Sequence, residues 1–301
     1  MSKSTDFVRF DWAIKRLLRN KADYVVVEGL LTVLLGRHIK IECSLDHFQE
    51  PDRSHLCQYD MLAEDENGEK IVIEIQNDRE LNYFHRMAYG TSKAIAEYMK
   101  EGEPYEKIRK VYSINIVYFS LGQGNDYAYR GMTRFFSMHD GVEELQLSTA
   151  QRDAFQCNTP SDIFPEYFLL RVDKFDTVAK TPLDEWISFL KTGDIPITAT
   201  APGLAEARER LRVDGLSDSE KKDYYRMLEN LRYQRSVIET GRAEGRAEGR
   251  AEGRAEGRAE GRAEGHIEAI LATAKKMKGM GLDLDIISNA TGLSIEDIEK
   301  L

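Results

Sequence analysis

YDMLAEDENGEKIVIEIQ, residues 59–76, holds two apolar-rich runs around a polar turn. Cys57–Ala63 and the β-branched run Lys70–Gln76 have strand composition, and Glu66-Asn67-Gly68 between them is a turn signal, so the stretch predicts an antiparallel hairpin. Side chains at i and i+2 share a strand face, so Glu74 and Gln76 point together while Ile75 enters the opposite layer. A carboxylate within KIVIEIQ is costly to bury unless it meets a cation, a hydrogen-bond network or water.

Whether Asp60 joins Glu74 depends on the loop. A two-residue loop at Asn67-Gly68 sets Asp60 opposite Ile75, on the wrong face. A three-residue loop with Gly68 left-handed pairs position 65 with 69, and therefore 60 with 74, so that both acids face one cavity. Directly opposed Cβ atoms lie roughly 4.5–5.5 Å apart, and carboxylates that close repel unless a divalent ion sits between them. Mg²⁺, or Mn²⁺ in its place, suits such a hard-oxygen site because it retains water and binds phosphate. The expected chemistry is in-line attack of an activated water on a phosphodiester, with Asp60 and Glu74 as metal ligands and Gln76 orienting water or phosphate. A neutral amide has no proton to titrate at working pH, so Gln76 is not a general base. Glu28, among Tyr24, Val25, Leu31 and Leu35 on an apolar helix, either completes the metal shell or sits at the surface edge of that helix.

Outward from the hairpin, FDWAIKRLLRN and KADYVVVEGLLTVLLG predict an opening helical layer that ends at Gly36. His38–Ser44 reads as a first strand, Glu80–Lys100 as a helix with apolar positions at Phe84, Met87, Ala88, Ile95, Ala96 and Met99, and Lys110–Ser120 as a strand. The order is α-β-β-β-α-β, an α/β fold, extended by a strand in FPEYFLLRVDKF and a helix in LDEWISFLK.

The chain has 301 residues, enough for one large domain with appendages. Cys43, Cys57 and Cys157 form no CxxC pair or zinc pattern, so the expected setting is a reducing cytoplasm. No apolar run has signal-peptide or membrane-spanning length, which predicts no membrane partner. A net charge of −10 argues against polyanion binding by the whole surface. Lys3, Arg9, Lys15, Arg16, Arg19 and Lys21 against Asp6 and Asp11 make a local basic cluster, either a solvated helix face or a surface for nucleic acid.

Together, FDWAIKRLLRNKADYVVVEGLL, the YDMLAEDENGEKIVIEIQ hairpin, YFHRMAYGTSKAIAEYMKEGEPYEKIRKVYSINIVYF, FPEYFLLRVDKFD and LDEWISFLK resemble the Rpn-family recombination-promoting nucleases and transposases of the PD-(D/E)xK type. The resemblance implies a restriction-endonuclease-like core and Mg²⁺-dependent DNA endonuclease activity linked to recombination or mobile elements. Asp60 and Glu74 correspond to the family's metal-binding acids, Gln76 stands where many relatives have Lys, and Glu28 corresponds to an acid of the first helix. Arg86 and Tyr89 also match, with packing behind the site as their expected role and phosphate contact as the alternative. Gln76 removes a cation that polarises the scissile phosphate, which supports a competing reading: a catalytically silent DNA-binding or assembly protein that keeps the fold.

Composition divides the chain into residues 1–200, the nuclease-like domain; 201–240, a charged helical stretch; 241–265, a spacer with GRAE repeated from Gly241 to Glu264; and 266–301, a small helical tail. At period four, Arg and Glu never fall three or four apart, so a helix there gains no intrahelical ion pairs, and each Gly costs about 1 kcal/mol relative to Ala. The segment is either a solvated spacer or a surface for self-association, and a homo-oligomer through the C-terminal helical region is the expected assembly. IEAILATAKKMKGMG, LDLDIISNATG and LSIEDIEKL predict three short helices, with Ser294 as an N-cap. Glu296, Asp297 and Glu299 on the last would repel phosphate, so the tail is expected to dock protein rather than DNA.

Overall fold

The computed structural model describes residues 7–17, 20–44, 60–97, 99, 102–176 and 178–301. Lys3, Asp6, Leu18, Arg19, Cys57 and the segment 45–59 lie outside the described residues. The chain divides into two compact units, Met1–Tyr224 and Tyr225–Leu301.

The first unit opens with α1 (Phe10–Leu17) and α2 (Tyr24–Leu35), which stops at Gly36 in the left-handed conformation, the glycine stop that the sequence predicts. β1 (Ile41–Ser44), β2 (Met61–Asp65) and β3 (Lys70–Gln76) follow, then α3 (Tyr83–Glu97) and β4 (Val111–Val117). β5 (Ala128–Met132), α4 (Thr149–Phe155), β6 (Glu166–Arg171), α5 (Pro182–Thr192) and α6 (Leu204–Arg210) complete it. The predicted α-β-β-β-α-β order is present, with β6 and α5 in the two expected segments. The six strands form one mixed sheet in the order β1-β2-β3-β4-β6-β5. β1, β2 and β3 are antiparallel neighbours, β3, β4 and β6 run parallel, and β5 lies antiparallel on the edge.

Alternation along the central strands feeds two cores. Leu62, Val72 and Val111 meet Ala94 of α3, and Val117 and Leu169 meet Tyr83 and Met87 of the same helix. The opposite face carries Ile71, Ile73, Ile114 and Ile116, all fully buried. A second helical group lies around α2, where Phe10 of α1 meets Trp186 and Phe189 of α5 edge-on. Gly29 of α2 approaches the Pro202-Gly203 backbone so closely that a Cβ would fall 2.3 Å from the Pro202 carbonyl, which excludes any larger residue.

The hairpin takes the three-residue loop. Met61 pairs with Ile73, Leu62 with Val72, Ala63 with Ile71 and Glu64 with Lys70. The Asp65 N–H donates to the Glu69 carbonyl at 3.1 Å, the Gly68 N–H to the Asp65 carbonyl at 3.0 Å, and Gly68 has φ +76°. Continued by one step, this register sets position 60 opposite Glu74.

In the second unit, α7 (Asp218–Gly279) runs on without a break through the GRAE repeat, its first residues lying in unit one, and α8 (Leu284–Thr291) and α9 (Ile295–Lys300) follow. Ala274, Ile287 and Ile298 are its buried centre, with Met277, Leu284, Leu293 and Leu301 around them, and Ser294 caps α9 by accepting from the Asp297 N–H. The repeat is exposed along its length, and among the described residues none of its arginines pairs with one of its glutamates. Three of every four of its residues are strong helix formers, and the flanking turns supply the nucleus, so the repeat has only to propagate a helix.

Candidate active site

The site lies at the C-terminal end of β3, on the face that α3 covers. Glu74 is 7% exposed inside an otherwise apolar strand. Its Oε1 lies against the guanidinium of Arg86, an ion pair that provides no aligned hydrogen bond. Arg86 Nη1 also reaches Glu80 Oε2 at 3.1 Å, so one guanidinium spans two carboxylates. Burial raises the proton affinity of Glu74, Arg86 opposes that shift, and the negative charges of Asp60 and Glu80 add to it. Asp60 is half-buried, with Oδ2 accepting from the Ile75 N–H at 2.7 Å, so the residue after Glu74 fixes the neighbouring acid. Its charge bears on both Glu74 and Tyr83 of α3, which puts the two carboxylates in one electrostatic environment.

Below them lies a polar layer that sequence reasoning did not reach. Asn115 of β4 stands beside Glu74 in the parallel register, and its Oδ1 accepts from the buried Tyr83 hydroxyl at 3.2 Å. Asn115 Nδ2 donates to Ser113 Oγ at 3.0 Å and to the Ser113 carbonyl at 3.1 Å, so the amide is held in one orientation. Burial, with the Glu74 charge next, pushes the Tyr83 hydroxyl far above its usual value and keeps it a donor. An asparagine amid the apolar alternation of VYSINIV was the available signal.

Gln76 ends β3, with its backbone carbonyl accepting from the Tyr118 N–H at 3.0 Å and its side-chain amide donating to the Asp78 carbonyl at 3.3 Å. The next residue, Asn77, is braced from the N-terminus. Arg9 Nη2 donates to Asn77 Oδ1 at 2.9 Å and to Asp11 Oδ2 at 2.8 Å, Asn77 Nδ2 returns to Asp11 at 3.0 Å, and the guanidinium lies 5.1 Å over the Tyr118 ring. Arg16 holds Glu220 at 2.9 Å and the Arg210 carbonyl at 3.0 Å. Two members of the expected basic cluster are therefore engaged in internal bonds, which removes them from a nucleic-acid surface.

Glu28 is not brought to the pair. Its carboxylate accepts from the Ile41 N–H at 2.8 Å, and Ile41 lies opposite Asp65 at the loop end of the hairpin. Five residues of strand separate that end from Asp60, on the order of 17 Å. The reading of Glu28 as a third ligand is corrected on that ground: a backbone donor satisfies the acid where it stands. Arg86, expected behind the site as packing, instead touches Glu74 directly.

Among the described residues no cluster of three or more His, Cys, Asp or Glu side chains is arranged to hold a metal ion. The donor set is two carboxylates, one with a buried oxygen that receives no aligned donor, and it fits a hard cation that fills its remaining positions with water.

Residues 8–146 match the model of the PD-(D/E)XK nuclease family transposases. Over those residues the chain is similar to that family. The matched stretch contains Asp60, Glu74, Gln76 and Arg86, together with the hairpin, α3 and β4 that position them. This likeness supports a nuclease or transposase-associated role, and the mixed sheet agrees with a restriction-endonuclease-like α/β fold. Neither a curated protein nor a solved structure matches the chain. No described helix is long and apolar enough to cross a membrane.

Proposed function

We propose that the chain is a divalent-cation-dependent DNA endonuclease that hydrolyses phosphodiesters in recombination or transposition. The observation that carries the reading is the juxtaposition of Asp60 and Glu74 at the end of β3, within the segment that matches the family. Asp60 and Glu74 would hold Mg²⁺ or Mn²⁺, which when bound supplies Lewis-acid activation of water and neutralises charge on the phosphate. Asp60 is held in place by the Ile75 N–H, so its carboxylate needs little reorganisation. Glu74 rests above Asn115 and Tyr83, which fix the floor of the site. Gln76, ending the same strand face, is suited to hold a water or a phosphate oxygen through its amide, without taking a proton. The brace of Arg9, Asp11 and Asn77 keeps the end of β3 from shifting.

Plasmid DNA incubated with the protein and Mg²⁺ or Mn²⁺ tests the reading. Nicking that is lost in Asp60→Ala and in Glu74→Ala supports it, and nicking that survives both rejects the site. Gln76 favours a second reading, in which the protein binds DNA or assembles without cutting; that reading expects DNA retention with no nicking under either ion. We also propose self-association through α7, acting in the cytoplasm. Sizing the protein with and without residues 241–264 tests the association, which the deletion should abolish.

A further inference from the structure

Arg86 contacts the buried Oε1 of Glu74, and it also holds Glu80. We infer that Arg86 is an internal counter-cation that the catalytic cation displaces from Glu74, and that Glu80 is the carboxylate on which it is parked after displacement.

The inference rests on the metal reading above and extends it. Glu74 is nine-tenths buried, and a carboxylate so placed is stabilised by a positive partner. A guanidinium in contact with Oε1 occupies an oxygen that a metal would need as a ligand, and two cations on that oxygen would repel each other. On this reading Arg86 would yield Oε1 to a bound metal. The geometry gives it a place to go. Its Nη1 already donates to Glu80 Oε2 at 3.1 Å, so releasing Nη2 from Glu74 leaves the guanidinium paired rather than stranded. The side chain is 35% exposed and Glu80 28% exposed, so the movement opens toward solvent and not into the core. Arg86 lies one turn into α3, whose Tyr83, Met87, Gly90, Thr91 and Ala94 are buried, so the helix backbone stays fixed while the arginine moves. The exchange leaves a positive charge next to the acid pair, where the strand itself offers only the neutral Gln76.

Two substitutions shift cation affinity in opposite directions. Arg86→Met removes the competitor and keeps the aliphatic volume, so Mn²⁺ should bind the DNA-free protein more tightly, on the order of tenfold. Glu80→Gln weakens the parking position and should loosen Mn²⁺ several-fold. Arg86→Lys keeps the competing charge and should bind Mn²⁺ close to wild type. Titration calorimetry of full-length protein with MnCl₂ alone reads all three, with circular dichroism as the check on folding. If Arg86→Met does not fold, Glu80→Gln and Arg86→Lys decide.

A purely structural arginine gives a different pattern, since its removal would loosen the site. Unchanged or weaker Mn²⁺ binding in Arg86→Met overturns the exchange and leaves the metal reading intact. Unchanged binding in Glu80→Gln likewise overturns the exchange. Binding in Arg86→Met where wild type shows none supports it. Absence of Mn²⁺ binding in wild type and Arg86→Met alike overturns the exchange and the metal reading together.

Discussion

The two ends of one hairpin hold buried acids in opposite circumstances. At the loop end, Asp65 is 1% exposed and fully served: Oδ1 accepts from the Asn67 and Glu69 N–H groups at 2.9 Å each, and Oδ2 from Arg37 at 3.0 Å. At the open end, Glu74 is nearly as buried, has one carboxylate oxygen without an aligned donor, and holds its proton more tightly than an ordinary glutamate. A carboxylate that is satisfied by its own loop stabilises the fold, whereas one left short of donors is held ready for something else. The same three-residue loop connects the two, because the turn that Asp65 closes sets the register that brings position 60 opposite Glu74.

Changes at the two ends should therefore fail in different ways. The largest effect is expected at the open end. Asp60→Asn keeps an acceptor for the Ile75 N–H yet removes the charge, so nicking should fall on the order of a thousandfold while the thermal midpoint stays within error. A matching loss of stability would show that Asp60 belongs with Asp65. Next in size, Asp65→Ala strips three donors of their acceptor and should cost about 3 kcal/mol in urea unfolding. Its activity should decline only as the folded fraction does. Gly68→Ala forces a Cβ into φ +76° and should cost about 1 kcal/mol, in the same assay.

The smallest effect concerns pH. Because the folded-state proton affinity of Glu74 is raised by burial, the native protein binds its proton at a pH where the unfolded chain has released it. Stability from this group is therefore present below the raised value and is lost as pH rises through it. Relative to Glu74→Gln, wild type should gain in urea midpoint as pH falls from 7.5 toward the ordinary carboxylate range. A wild type that instead loses ground on acidification would mean that Arg86, not burial, dominates the environment of Glu74.

Much of the central sheet was legible because its signals are local. Counting residues between strand ends left two registers open, and a glycine able to take positive φ was the feature that the observed one uses. β4 was legible from the alternation in KVYSINIVYFS. The edge strand AYRGM was not, since its residues are largely exposed and carry no period-two pattern. The partner of Glu74 was illegible for another reason: Arg86 lies twelve residues later on a different element, and only the packing of α3 on the sheet brings the two together. Glu28 misled because a charge on an apolar helix signals only that a partner exists, and that partner was a backbone N–H. The GRAE segment, marginal as an isolated helix by propensity, is helical in continuity with its neighbours.

That continuity gives the tandem array a mechanical meaning. Each four-residue unit adds about 6 Å of rise and about 400° of winding, a net turn of about 40°. Gaining or losing one copy would swing α8 and α9 about the α7 axis by a fixed increment relative to residues 225–240, and nine copies would restore the original azimuth. Copy number would thus act as a vernier, setting the direction in which the terminal helices face without altering a single side chain outside the array.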